Sequence, residues 1–465
     1  MSEGHTESAQ DIIQADDLVK DLTKTTEPVF TLRDKNISGT LDLRYRTIYT
    51  AVDIQGCPFL GDVDLRWCNF EQTVDFKRCT FQQAFNKIGQ TASQTIHCKK
   101  DFTCAEAIFK GPVSLNSARI EGVADFKKAR FERSQGVDFI AFTSTGQLIC
   151  NEATFTGPAD FNALKCEGGG FFDGAIFEGE ADFVFTKFGG SLFFSDSSFS
   201  RRLILEAVEV SRELDLTAQQ FQEVLLYNAT TEVLGLAYDV ESADYTAHYT
   251  FPRTQASLDL RGFTFKRLRG SKAEALQFAK AQKPTVFSLD PYVQLEEHYE
   301  KIGKDTEARD VHYEGRRAMR GNADTNSDVT WTFGRKASDA FLRALTGYGV
   351  RTTRVAWAIA IFLVVGTIVF SLGDFTPWGE ALSVKPSETS ALSGTAQNPA
   401  ASEPTVVDQV SYSVDRFIPV NLGVDDRFEP RQSWSQVYDL IHVVAGWLLI
   451  PLFLASWSGL VRSQR

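Results

Sequence analysis

The stretch CPFLGDVDLRWCNFEQTVDFKRCTF, residues 57–81, holds three evenly spaced cysteines, Cys57, Cys68 and Cys79. Even spacing suggests a metal site or a disulfide framework. The neighbours, however, keep the same beat. Each cysteine stands two residues before a phenylalanine: Phe59, Phe70 and Phe81. Between them fall Leu65 and Phe76, each preceded at two residues by Val63 and Val74. A large apolar side chain thus recurs at 59, 65, 70, 76 and 81, in steps alternating six and five. The series extends upstream through Leu43, Ile48 and Ile54. Downstream it runs from Phe109 to Phe131, resumes at Phe155, continues to Phe199 and fades by Leu226.

A period near five and a half residues is neither helix nor ordinary strand. It fits a solenoid of very short strands with a corner every five or six residues, so that four corners close one coil of 22. The large residue and the small one two places earlier both point inward, because side chains alternate along a strand. Stacked coils then bury continuous ladders, each coil touching only its neighbours. The stretches 82–101, 140–154 and 227–255 break the beat and are expected to be loops leaving the coil corners.

Five segments repeat one local pattern: VDLRW at 63–67, VDFKR at 74–78, ADFKK at 124–128, ADFNA at 159–163 and ADFVF at 181–185. In this the chain resembles the pentapeptide-repeat family, over about residues 37–270. The resemblance implies a right-handed, four-sided β-helix. Some members of that family mimic duplex DNA with acidic surfaces. Here Asp42, Asp53, Asp64, Asp75, Asp125, Asp138, Asp160 and Asp182 are expected to point outward. Arg44, Arg66, Lys77, Arg78, Lys127, Lys128 and Arg130 stand beside them, so the face reads as mixed and solvated.

On the 22-residue coil Cys57 and Cys79 stack, about 4.8 Å apart by strand spacing, while Cys68 lies on the opposite face. All three take the small inward position, where free cysteine acts as a buried hydrophobe. Converging metal ligands are not expected there, nor at His97, Cys98 and Cys104. No metal and no cofactor is expected. A net charge of -12 argues against a nucleic-acid partner held by a basic surface. The opening MSEGHTESAQ lacks the charged-then-apolar order of a secretory leader. Residues 11–24 have helical apolar spacing and predict a helix capping the first coil, within an N-terminal region 1–36.

After residue 270 the pattern turns helical. DPYVQLEEHYEKIGKDTEARDVHYEGRRAMR (290–320) predicts two antiparallel helices, opened by Asp290 and Pro291 and divided at Gly303. Tyr299, Gly303 and Ala308 resemble the spacing of a tetratricopeptide hairpin. The region 271–350 reads as a helical connector, with a further helix near 336–350. A membrane domain follows over 351–465. Residues 355–372 and 438–461 are apolar enough, and long enough, to span a bilayer. Arg335, Lys336, Arg343, Arg351 and Arg354 precede the first span, and Arg462 and Arg465 follow the second. Positive-inside then places both termini and the β-helix in the cytoplasm, in the inner or plasma membrane, with 373–437 outside. Residues 383–408, rich in Ser, Thr, Ala and Pro, are expected to be a flexible linker.

Between the spans, VVDQVSYSVDRFIPVNLGVDDRF (406–428) resembles the pore region of two-span ion channels: a short helix, then a filter. Val420 and Gly423 match such a filter. Asn421 replaces its first glycine, the tyrosine is absent, and Asp425 falls one place late. The resemblance implies a homo-oligomer with Asn421, Gly423 and Asp425 nearest the ion path. Asp439 and His442, three residues apart on one helix face, read either as an intramembrane polar pair or as structural. No dinucleotide, P-loop, zincin or nucleophile-elbow motif occurs, and the chain is not expected to be an enzyme. Two readings stand. One is a channel-like oligomer whose β-helix is a sensor or assembly platform. The other is a non-conducting membrane scaffold recruiting a cytoplasmic protein partner.

Overall fold

The computed structural model describes residues 12–86, 96–132, 136–242, 245–252, 257–322, 352–372, 375–377, 405–418, 428–430 and 433–457, with single positions 340 and 420. The chain divides into two units, residues 1–329 and 330–465.

The first unit is a β-solenoid of about 10 turns with a spacing near 22 residues per coil. Its strands are mostly two residues long and pair in parallel with the coils above and below. Phe81 pairs with Phe59 and with Phe109, and Phe155 with Phe131 and Phe177. The inward rings form one ladder of Phe59, Phe81, Phe109, Phe131, Phe155, Phe177, Phe199 and Phe221. Successive rings stack with centroids 4.7–5.2 Å apart, the spacing of the strands themselves.

The alternation of five and six has a backbone cause. A five-residue step turns its corner through one left-handed residue, such as Tyr45, Trp67 or Arg78 at φ 58°, 56° and 58°. That residue is third in a β-turn, where a positive φ is needed. The Cys68 N–H donates back to the Leu65 carbonyl at 3.0 Å and closes the turn. The aspartates belong to the same device. Asp75 accepts the Lys77 N–H at 2.7 Å, Asp125 that of Lys127 at 2.8 Å, and Asp160 that of Asn162 at 2.9 Å. Each carboxylate therefore pins the amide just before the left-handed residue. They do not simply face water as expected. Asp64 is buried, and desolvation pushes the Asp138 and Asp160 carboxyls above their ordinary range.

In two of the three expected loops the described residues belong to the solenoid. Residues 137–155 form a regular coil, and so do 96–109. Here the sizes are exchanged: Phe142 precedes Ser144, Leu148 precedes Cys150 and Phe102 precedes Cys104, all of them buried. A large residue at the small position fills the same interior volume. The insertions at these places, 87–95 and 133–135, lie outside the described residues. The third break is narrower than the expected 227–255: Thr230–Gly235 still pairs with the solenoid strands on both sides, and strands Ala237–Ser242 and Tyr245–Thr250 form an antiparallel hairpin leaving the last coils. At its root Arg269 bonds Glu213, Asp215 and the Ala237 carbonyl.

Both ends of the solenoid are covered. Helix α1 (Ala15–Lys24) buries Ala15, Leu18 and Leu22 against the first coil. At the far end come α2 (Lys272–Lys280), α3 (Asp290–Lys301) and α4 (Asp305–Gly321). Gln294 of α3 accepts the Phe265 N–H at 3.0 Å and donates to the Phe263 carbonyl at 2.7 Å. A side chain thus satisfies backbone groups at the final edge strand, which removes a template for further pairing. The α3–α4 turn passes through Gly303 at φ 73°, with Tyr299 and Ala308 buried on either side. Of the helix expected near 336–350, only residue 340 is described.

All seven cysteines are buried and unbridged. Burial pushes the Cys68 thiol up to about 12 and those of Cys98 and Cys166 up to about 11. Cys98 and Cys104 point inward on different faces, while His97 points outward and meets Glu121 at 3.0 Å.

Candidate functional site: a helix packed between two apolar spans

The second unit holds α5 (Thr352–Leu372), α6 (Val406–Phe417) and α7 (Ser433–Trp457). Helices α5 and α7 are long and apolar enough to cross a membrane, with mean hydropathy 2.6 and 1.9 over their spans. Only 17% and 22% of their most apolar windows are buried, whereas a core helix of a soluble fold would be largely covered. Their outer faces expose Ile361, Val364, Ile368, Leu440, Val444 and Leu448. Trp434 and Trp457 are exposed near the two ends of α7, roughly 34 Å apart at helical rise. That separation matches a hydrocarbon core with tryptophan at each interface.

Helix α6 starts with a capping box: Thr405 bonds the Asp408 N–H, and the Asp408 carboxylate returns to the Thr405 N–H at 2.9 Å. It runs parallel to α7, since Tyr412 meets Asp439, Ser413 meets His442 and Phe417 meets Gly446. Its middle lies by the end of α5, with the Tyr412 ring 4.9 Å from Phe370. Its last turn lies far deeper: Phe417 packs with Val355, Phe362 and Leu449. Phe362 is ten residues before the end of α5, about 15 Å along the helix. Strands Phe375–Pro377 and Phe428–Pro430 pair antiparallel, so the chain after α6 returns to the end of α5 where the excursion began.

Two glycines admit this helix. A Cβ on Gly446 would lie 1.7 Å from the Phe417 carbonyl oxygen. One on Gly366 would lie 2.5 Å from both His442 Cε1 and Ser413 Oγ. Small residues at such crossings let backbones approach closely in lipid.

The polar contacts follow the seam of α6 and α7. Ser413 Oγ donates to the Leu363 carbonyl at 3.2 Å. His442 Nε2–H donates to the Ser413 carbonyl at 3.0 Å, with Ser413 Oγ also 3.2 Å away. A carbonyl only accepts, so the proton of the neutral ring sits on Nε2. Both residues are fully buried. The Tyr412 hydroxyl donates to Asp439 Oδ1 at 3.4 Å and accepts from Arg416 Nε at 3.1 Å. Arg416 Nε is itself 3.6 Å from Asp439. Asp439 and His442 thus share a helix face, but each reaches across to α6: His442 to Ser413, and Asp439 to Tyr412 and Arg416. The Ser–His contact does not make a hydrolytic pair, since Nε2 carries the donor proton and Ser413 Oγ donates elsewhere.

The filter-like residues Asn421, Gly423 and Asp425 lie outside the described residues. Sequence reasoning found α6 and His442 but missed Ser413, Gly366 and Gly446. Serine and glycine are ordinary in spans, and only the partner's position marks these.

Among the described residues, no group of His, Cys, Asp and Glu gathers as a metal site. The solenoid has a shallow groove of about 430 Å³, lined by Val210, Ser211, Glu232, Phe265 and Lys266 among others. Its two charged residues, Lys266 and Glu232, pair with each other at 2.8 Å. Comparison of the chain with family models, curated proteins and solved structures finds no match.

Proposed function

We propose that this is a membrane-anchored pentapeptide-repeat protein with a channel-like two-span domain that works as a homo-oligomer. The observation that carries the reading is the position of α6. The second half of a twelve-residue helix, from Tyr412 to Phe417, passes the end of one span, reaches about halfway along it and packs against both. A linker between two anchors has no need of such a helix, whereas a re-entrant pore element does. Irregular backbone at membrane depth is tolerated only where protein or water shields it. Two spans enclose no pore alone, so symmetric copies would supply the walls. Asn421, Gly423 and Asp425 would then lie nearest the axis, and a ring of Asp425 would favour cations. The solenoid, on the cytoplasmic side with both termini, would serve as sensor or assembly platform.

The scaffold reading draws on a different feature. Ile149, Phe171 and Phe193 stack in register on the outer surface of successive coils, half-buried, where neighbouring coils carry aspartate or threonine. That ridge suits a protein partner. Purified protein in planar bilayers separates the two. The channel reading expects unitary current steps whose cation selectivity changes in Asp425→Asn. Silent membranes from verified oligomers, across voltage and pH, would leave the scaffold.

A further inference from the structure

We infer that His442 is a proton-operated latch on the re-entrant helix: a second proton on its ring releases α6 from the spans. The inference rests on the packing of α6 described above and not on ion conduction.

The ring lies in a niche over Gly366, walled by Phe362, Phe370 and Phe417 at centroid distances of 6.5, 5.6 and 5.1 Å. Its Nε2–H is spent on the Ser413 carbonyl, one turn before the end of α6. Its Nδ1 is buried without a hydrogen-bond partner. A buried lone pair with no donor is a cost carried in the neutral state, and it is also the one place where the ring can take a proton. Doing so would create a cation and an unsatisfied N–H amid three phenylalanines.

The surroundings offer little to offset that charge. From α5 the ring faces Phe362, Gly366 and Phe370. From α6 it faces Ser413 and Phe417, with Tyr412 and Arg416 nearby. Its own helix brings Tyr438, whose ring is 5.6 Å away, and Asp439. Among the described residues the carboxylate shown near it is Asp439, which already serves Tyr412 and Arg416. A protonated His442 can reach Asp439 or water only by leaving the niche. Leaving breaks the Ser413 bond that ties α6 to α7, and with it the packing of Ser413 against Leu363.

The test is hydrogen–deuterium exchange of the full chain in lipid nanodiscs, corrected for the intrinsic pH dependence of amide exchange. Protection of the Val406–Phe417 amides should fall about tenfold or more between about pH 7.5 and pH 5, while the solenoid strands keep theirs. His442→Gln keeps a donor toward Ser413 but has no second proton to gain, so its α6 should stay protected throughout. Ring NMR of the wild-type histidine should show Nε2–H at neutral pH and a second proton gained over the same interval. Protection of α6 unchanged in acid overturns the latch, as does a ring that stays neutral while α6 loosens. If His442→Gln merely unfolds, the ring NMR decides alone. Absence of α6 protection already at pH 7.5 is a separate outcome and refutes the re-entrant packing itself.

Discussion

Phe155→Ala removes one rung from the middle of the phenylalanine ladder. The ring is fully buried, stacks on Phe131 at 4.9 Å and on Phe177 at 4.7 Å, and meets Phe161 edge-on at 6.0 Å. Losing the buried ring forfeits about 2–3 kcal/mol of transfer free energy. The coils above and below are fixed by their strand pairing, so the space collapses poorly, and a residual cavity near 80 Å³ adds roughly 2 kcal/mol. The expected loss is about 4–5 kcal/mol, concentrated at the two coil–coil interfaces that Phe155 joins. Because a solenoid couples only nearest neighbours, protection should fall most over residues 130–178 and least at the capped ends. Hydrogen exchange with urea titration reads both the size and the place. Leu60→Ala, at a half-exposed corner, serves as control and should cost under about 1 kcal/mol. Equal losses in the two variants, or a loss spread evenly over the solenoid, would refute the ladder as the source of stability.

The seven buried thiols should resist water-soluble alkylating reagents in the native state and react on unfolding. Their folded pKa values are raised by burial, so the unfolded chain loses protons first. Stability should therefore hold below about pH 8.5 and fall as pH rises toward the folded values near 11–12, by up to about 1.4 kcal/mol per pH unit per thiol. Cys68→Ala should flatten that decline, and an unchanged slope would count against it. Gly446→Ala should cost about 1–3 kcal/mol by overpacking and free the α6 amides, while Val444→Ala on the exposed face of α7 should not. In a cysteine-free background, a cysteine at Ser393 should react with an impermeant reagent on intact cells and one at Ser463 should not. The opposite pattern would invert the topology.

The solenoid was legible because its period is carried by bulky residues. Phe59, Leu65, Phe70 and Phe76 could be read without knowing what lay above them. The coils at 96–109 and 137–155 hid because the fold fixes the summed volume of two inward positions and not which one is large. Phe142 with Ser144 satisfies the interior as well as Ala153 with Phe155 does. The aspartates were read as surface charge because their hydrogen bond reaches the second amide onward, a local contact that composition does not reveal. In the second unit, hydropathy gave the spans, and the resemblance of 406–428 to a channel pore region gave α6. The close approaches at Gly366 and Gly446, and the bond from Ser413 to His442, depend on register between helices far apart in sequence. Nothing within one span records the register of another.

The position of α6 distinguishes a re-entrant helix from a surface linker, and cryo-electron microscopy of the full chain in lipid nanodiscs tests it most directly. The expected result is a rotationally symmetric assembly in which α6 passes the end of α5 at Tyr412 and reaches about halfway into the bilayer density, with Phe417 at the level of Phe362. A single copy, or an assembly in which this helix lies at the headgroups or in water, would contradict it.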